Sequence, residues 1–108
     1  MRIITRKKLV DFWTIHPASE RSLRIWEFAV KAAAWTCPND VKQTFRSADW
    51  ANALWIFDVG SNRIVAGARY QFDTSRALTI AGSIYIKHVF THAQYDAWSR
   101  AQHRTGAR

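Results

Sequence analysis

The chain has 108 residues, 48% of them hydrophobic and including six Trp, six Phe and three Tyr, a composition that excludes disorder and suits a single well-filled core. Sixteen Lys and Arg against eight Asp and Glu give a formal charge of +8 and an isoelectric point near 10.4, which points to a polyanionic partner, nucleic acid above all. One cysteine, Cys37, excludes an intrachain disulfide and a cysteine-based zinc cluster and fits a reducing compartment.

No apolar run approaches the ~18 residues of a membrane span, and the amino-terminal cations precede no signal-like apolar stretch. The expectation is a cytoplasmic protein with no membrane partner, forming a single domain over residues 1–108. Arg2 to Thr5 reads as a short strand, with Thr5 placed to cap a helix from Arg6 to about Ile15 that turns Leu9, Phe12 and Trp13 to one side. His16-Pro17 ends that helix, because the residue before proline is pushed out of the helical region. A second helix follows from about Ser19 to Ala33, with Leu23, Trp26, Val30 and Ala33 as its core stripe. Ile25, Phe28 and Ala29 make its other faces apolar too, as befits a helix between a sheet and either a neighbouring helix or a bound partner. Pro38 starts a short helix to about Phe45, and Ser47-Ala48-Asp49 reads as a turn.

There the period changes to two. Leu54 to Val59 is a strand, Gly60-Ser61-Asn62 its turn, and Arg63 to Phe72 a second strand. Ile64, Ala66, Ala68, Tyr70 and Phe72 fall on one face. Arg63, Val65, Gly67, Arg69 and Gln71 fall on the other, with the two arginines ~20 Å apart. Asp73 to Arg76 turns the chain, and Ala77 to Ser83 is an extended arm leading to a β-rich run that stops at Thr91. Thr91-His92-Ala93-Gln94 has the form of a capping box. A helix starting at His92 puts an imidazole beside unpaired backbone N–H groups that favour a phosphate. Tyr95 and Asp96 follow at i+3 and i+4 on the same face. Arg100, Arg104 and Arg108 continue at four-residue spacing, either as a solvated helix end or as a phosphate-binding tail.

Imidazoles, an amine, a phenol and arginines thus meet near one helix start. Cleavage of RNA by its own 2'-hydroxyl needs a base for that hydroxyl, an acid for the 5'-oxygen and cations for the charged phosphorus, and this set supplies all three. The acids are scattered without metal-ligand spacing, so neither metal nor other cofactor is expected. Strict alternation sets His88 on the opposite strand face from Lys87 unless a bulge intervenes. Each residue by itself also fits a blander role, as a packed histidine, a core aromatic or an exposed edge lysine.

The run Arg2-Ile3-Ile4 through Lys7-Lys8-Leu9, then Phe12-Trp13, His16-Pro17, Leu23 and Trp26, the turn Ser47-Ala48-Asp49, the strand start Arg63-Ile64-Val65, and above all Tyr85-Ile86-Lys87-His88-Val89 with Thr91-His92-Ala93-Gln94-Tyr95-Asp96 resemble the HigB-type toxins of the RelE/ParE superfamily of toxin–antitoxin systems. The resemblance implies a RelE-like α+β fold, with N-terminal helices packed on one face of an antiparallel sheet and a short C-terminal helix. It also implies an endoribonuclease that cuts mRNA in the ribosomal A site without metal and is held inactive by a HigA-type helix-turn-helix antitoxin. In that frame the catalytic candidates are His92 for acid–base work, Tyr95 orienting it or sharing its role, and Lys87 on the scissile phosphate. Arg63, Arg69, His88, Arg100 and Arg104 are the substrate-binding candidates, and Asp96 supports the helix start or His92. Asn62 stands where the family usually carries a tyrosine, and Asp73 to Ser83 resembles an insertion of about ten residues in place of a tight hairpin. Two other classes fit the same basic chain: a ParE-like toxin acting on DNA gyrase, and a non-catalytic RNA-binding module.

Overall fold

The structure, a computed structural model, describes residues 1–70 and 82–106, with side chains up to Gln102. The expectations for Gln71, Phe72 and the stretch from Asp73 to Ala81, like that for Arg108, lie outside the described residues. Five strands form one sheet in the order β1-β5-β4-β3-β2. They are β1 (Arg2–Ile4), β2 (Asp49–Ala51), β3 (Leu54–Val59), β4 (Asn62–Arg69) and β5 (Ser83–Thr91). All neighbours are antiparallel except β1, which runs parallel to β5. Four α-helices, α1 (Lys7–Ile15), α2 (Glu20–Ala32), α3 (Pro38–Thr44) and α4 (His92–Gly106), and a single 3-10 turn at Pro17–Ser19 complete the described elements. None is long and apolar enough to cross a membrane.

The alternation of β3 and β4 decides where the core lies. Trp55 and Phe57 face Ala66 and Ile64 across the hairpin, and these join Ile84 and Ile86 of β5 under Leu9, Phe12 and Trp13 of α1 and Leu23, Trp26 and Val30 of α2. Phe57 is 1% exposed and sits among the rings of Trp26 and Phe45 at 5.3 and 5.2 Å between centroids. Buried indoles need partners for their N–H groups. Trp35 donates to the Thr44 hydroxyl at 2.9 Å and Trp55 to the Tyr70 hydroxyl at 3.0 Å, whereas the Trp26 N–H finds no partner among the described residues.

Three local expectations change. Thr5 does not cap α1 with its side chain. Its hydroxyl donates to the Ile86 carbonyl at 2.8 Å, tying the helix start to β5, while its own carbonyl accepts the Lys8 N–H. The stretch after Ser47 holds a strand, β2, that pairs with β3 through the two-residue loop Asn52-Ala53. Both loop residues have positive φ, the geometry that a tight hairpin turn demands. The β3–β4 turn is also two residues rather than three: Asn62 belongs to β4 and pairs with Val59, which sets Asp58 opposite Arg63.

Strands β4 and β5 stay paired as far as Arg69 and Ser83. Gly82 just before it is required by space. A Cβ there would lie 2.9 Å from the Arg69 carbonyl oxygen and 2.8 Å from the Met1 side chain.

Candidate active site

The site begins with an odd step in β5. Ile84 and Ile86 are two residues apart and share the core face, but the next apolar residue on that face, Val89, comes three later. A regular strand cannot bury both sets, because alternation has period two. The register breaks to accommodate them: Val65 pairs with His88 and Ala66 with Ile86, which leaves Lys87 as the extra residue of a bulge. Without the break Lys87 would stand opposite Ala66, in the core. With it, Lys87 is exposed, and its carbonyl accepts a hydrogen bond of 2.9 Å from the Lys8 ammonium.

Beyond the bulge, His88 and Phe90 share a face with Val65 and Arg63, opposite α1 and α2. The last helix covers this face. The capping box forms as its sequence pattern implies, with the Thr91 N–H donating to Gln94 Oε1 at 2.9 Å and the Gln94 N–H donating to the Thr91 hydroxyl at 3.2 Å. Trp98 then lies against His88 and Phe90, with centroids 5.6 and 5.8 Å apart, and against Tyr95 at 6.0 Å. These rings hold the first turns of α4 across the ends of β4 and β5. Asn62 pairs with Thr91 at the same end.

Arg63 and His92, 29 residues apart in the chain, meet there. The guanidinium Nη2 of Arg63 lies 3.3 Å from Nε2 of His92. Its Nη1 is paired with the Asp58 carboxylate across the hairpin, and its Cζ stands 5.8 Å from the centre of the Tyr95 ring. Arginine can only donate, so Nε2 of His92 accepts, and the network assigns the ring proton to Nδ1. Nδ1 faces Asp96 Oδ2 at 3.4 Å. An alternating row of Asp58, Arg63, His92 and Asp96 therefore runs from β3 through β4 to α4. Arg63 is sheltered, at 18% side-chain exposure, whereas His92 is open to solvent at 57%. A sheltered cation is thus held beside a solvent-open imidazole whose Nε2 lone pair it engages, an arrangement in which a phosphate that draws Arg63 to itself frees Nε2 for the hydroxyl next to it.

The remaining candidates are spread more widely. Lys87 and His88 line a groove of about 250 Å³ between α1 and β5, whose other lining residues include Lys8, Asp11, Phe12 and Phe90. Lys87 is three residues along β5 from Phe90, the partner of Arg63, so its Cα is ~10 Å along the strand from the row. His88 is half-buried and stacked on Phe90 at 4.9 Å. Burial, then the nearby charges of Lys8 and Lys87, push its imidazole below the usual histidine range. Arg69 is exposed at the far end of β4, six residues or ~20 Å from Arg63, too far to meet the same phosphate. Arg100 is exposed on α4, eight residues past His92 and hence ~12 Å down the same helical stripe. Arg104 follows in α4, with its side chain outside the described residues. Among the described residues no three His, Cys, Asp or Glu side chains converge as a metal site would require.

Asp58 is not evident from the sequence, because a turn of Gly60-Ser61-Asn62 sets the register one residue away from the observed pairing of Asp58 with Arg63. The signal was present in Gly60, whose φ of +61° suits the first position of a two-residue hairpin loop.

Residues 19–98 match the family model HigB_toxin, the RelE-like toxic component of a toxin–antitoxin system. The chain is 28% identical over 108 residues to the mRNA interferase toxin HigB of Escherichia coli strain K12, covering 97% of this chain and 96% of that protein. The same identity and coverage relate it to proteins named mRNA interferase HigB in Escherichia coli O157:H7 and Shigella flexneri.

Proposed function

The chain belongs to the HigB family of RelE-like toxins, the toxic components of toxin–antitoxin systems, and from that premise we propose that it is an mRNA interferase, an endoribonuclease that cuts ribosome-bound mRNA in the cytoplasm without a metal ion. Its restraining partner in this reading is a HigA-type helix-turn-helix antitoxin. The observation that carries the reading is the approach of Arg63 to within 3.3 Å of His92, at a capped helix start on the face of the sheet away from the core.

The chemistry divides among these residues. The 2'-oxygen of one nucleotide attacks the adjacent phosphorus, the bond to the 5'-oxygen breaks, and the products are a 2',3'-cyclic phosphate and a 5'-hydroxyl. One proton leaves the 2'-hydroxyl and one reaches the 5'-oxygen. His92 serves as acid–base group, with Asp96 orienting Nδ1 and Tyr95 positioning the ring or sharing the transfer. Arg63 exchanges its hold on His92 for the phosphate oxygens while Asp58 keeps its plane in place, and Lys87 approaches the same phosphate from the bulge. Arg69, Arg100 and the arginine at 104 bind phosphates further along the strand. His88 acts mainly by stacking beneath Trp98, which holds α4 where His92 is needed.

Mapping mRNA 5' ends after induction tests this. The wild type is expected to produce new ends inside coding regions, bearing 5'-hydroxyls, with DNA supercoiling unchanged. His92→Gln and Arg63→Ala should each lower cleavage by about 10²–10⁴-fold while still binding RNA. Ends carrying a 5'-phosphate, or full cleavage by both variants, would sink the assignment. Altered supercoiling without new ends would move the chain to the gyrase-directed class.

A further inference from the structure

Helix α2 presents two apolar stripes, and only one has a partner within the chain. Leu23, Trp26 and Val30 are buried in the core. On another side of the helix Arg21, Ile25, Phe28 and Ala32 are all exposed, at steps of four, three and four residues, so they form a straight ridge ~16 Å long. Phe28 is 77% and Ile25 62% exposed. An open groove of about 560 Å³ runs beside this ridge, lined by Pro17, Glu20, Arg21, Arg24, Ile25 and Phe28. Ile25 also borders a second groove of about 250 Å³ on its other flank, which reaches Trp26, Phe45 and Asp58. Ile25 thus stands as a ridge between two hollows, a shape that interdigitates with another element.

The charges select the occupant. Two copies of this chain would each bring a formal charge of +8, so self-association on this face is opposed by repulsion. The acids of α2 are already neutralised, Glu20 by Arg24 at 2.7 Å and Glu27 by Arg6 and by Lys31 at 3.7 Å. Arg21 makes no ion pair among the described residues. We propose that this ridge is the seat of the antitoxin, which grips it with an acidic amphipathic segment, its apolar side chains on Ile25 and Phe28 and its carboxylates on Arg21. The proposal rests on membership of a toxin–antitoxin family and not on the cleavage chemistry. The seat lies on the helix side of the sheet, and its second groove ends at Asp58, so the bound antitoxin borders the site from behind without entering it.

The test uses the full chain and its cognate antitoxin, with binding measured by titration calorimetry. Ile25→Glu and Phe28→Glu are expected to weaken binding roughly 100-fold or more, with thermal melting near that of the wild type. Arg21→Glu should weaken it about 10-fold and flatten its dependence on salt. Both apolar variants should keep the toxicity of the free protein and escape neutralisation when the antitoxin is co-expressed. Affinities within about threefold of wild type for both would overturn the proposal. So would a wild-type dimer in light scattering that Phe28→Glu dissolves, since the occupant would then be a second copy. Binding is read without reference to RNA, so a chain that binds its antitoxin but cuts no message would overturn the cleavage reading alone.

Discussion

The two faces of the sheet are both built on aromatic rings, yet they do different work. On the helix face Trp26, Phe45, Trp55 and Phe57 interlock in a core that leaves Phe57 1% exposed. On the opposite face His88, Phe90, Tyr95 and Trp98 form a smaller cluster whose members are only half-buried. The first cluster removes large apolar areas from water and supplies stability. The second holds α4 against β4 and β5 while leaving His92 open. The site proposed around His92 must admit a polyanion and so cannot be sealed; its support comes from partial stacking and from the ion-paired row through Arg63.

That contrast can be broken by experiment. Phe57→Ala should destabilise the fold by about 3–5 kcal/mol, read from urea unfolding, with cleavage per folded molecule little changed. Trp98→Ala should cost less, about 1–2 kcal/mol for a half-buried ring, yet reduce cleavage at least 10-fold under conditions where the protein stays folded, because the helix carrying His92 loses its seat. Equal stability losses at the two positions would make the second cluster part of the core and erase the distinction.

The smallest effect concerns pH. Burial lowers the His88 imidazole in the folded chain, so between that lowered value and the ordinary ~6.5 of the unfolded chain the unfolded state binds more protons. Stability from this group is complete above ~6.5 and declines as the pH falls through the folded value. His88→Phe keeps a ring in the stack and removes the proton. Its urea midpoint should therefore drop less than that of the wild type between pH 7.5 and 5.0; parallel drops in the two proteins would remove His88 from the balance.

Much of this was legible in the residues. The stripe Leu23, Trp26, Val30 announced α2, the alternation from Arg63 announced the two faces of β4, and Thr91 with Gln94 announced the start of α4, because each rests on local chemistry with its own period. Strand β2 was hidden because its turn, Asn52-Ala53, has no glycine to mark two residues at positive φ. The role of the Thr5 hydroxyl is not local, because its acceptor, the Ile86 carbonyl, lies 81 residues away. The exposed side of α2 was visible as an excess of apolar residues, but whether the chain itself covered it was a question of packing.

By itself the sequence determined which side chains could do chemistry and the helix start on which His92 sits, since the capping box spans four residues and requires nothing distant. It even held the reason for the bulge, in the three-residue step from Ile86 to Val89, although alternation alone left His88 undecided. Only the tertiary structure decided that Arg63 and not Arg69 reaches His92, and that Asp58 holds it there. Those contacts depend on the register of two hairpins, and a shift of one residue in either would have turned the same side chains to the opposite face.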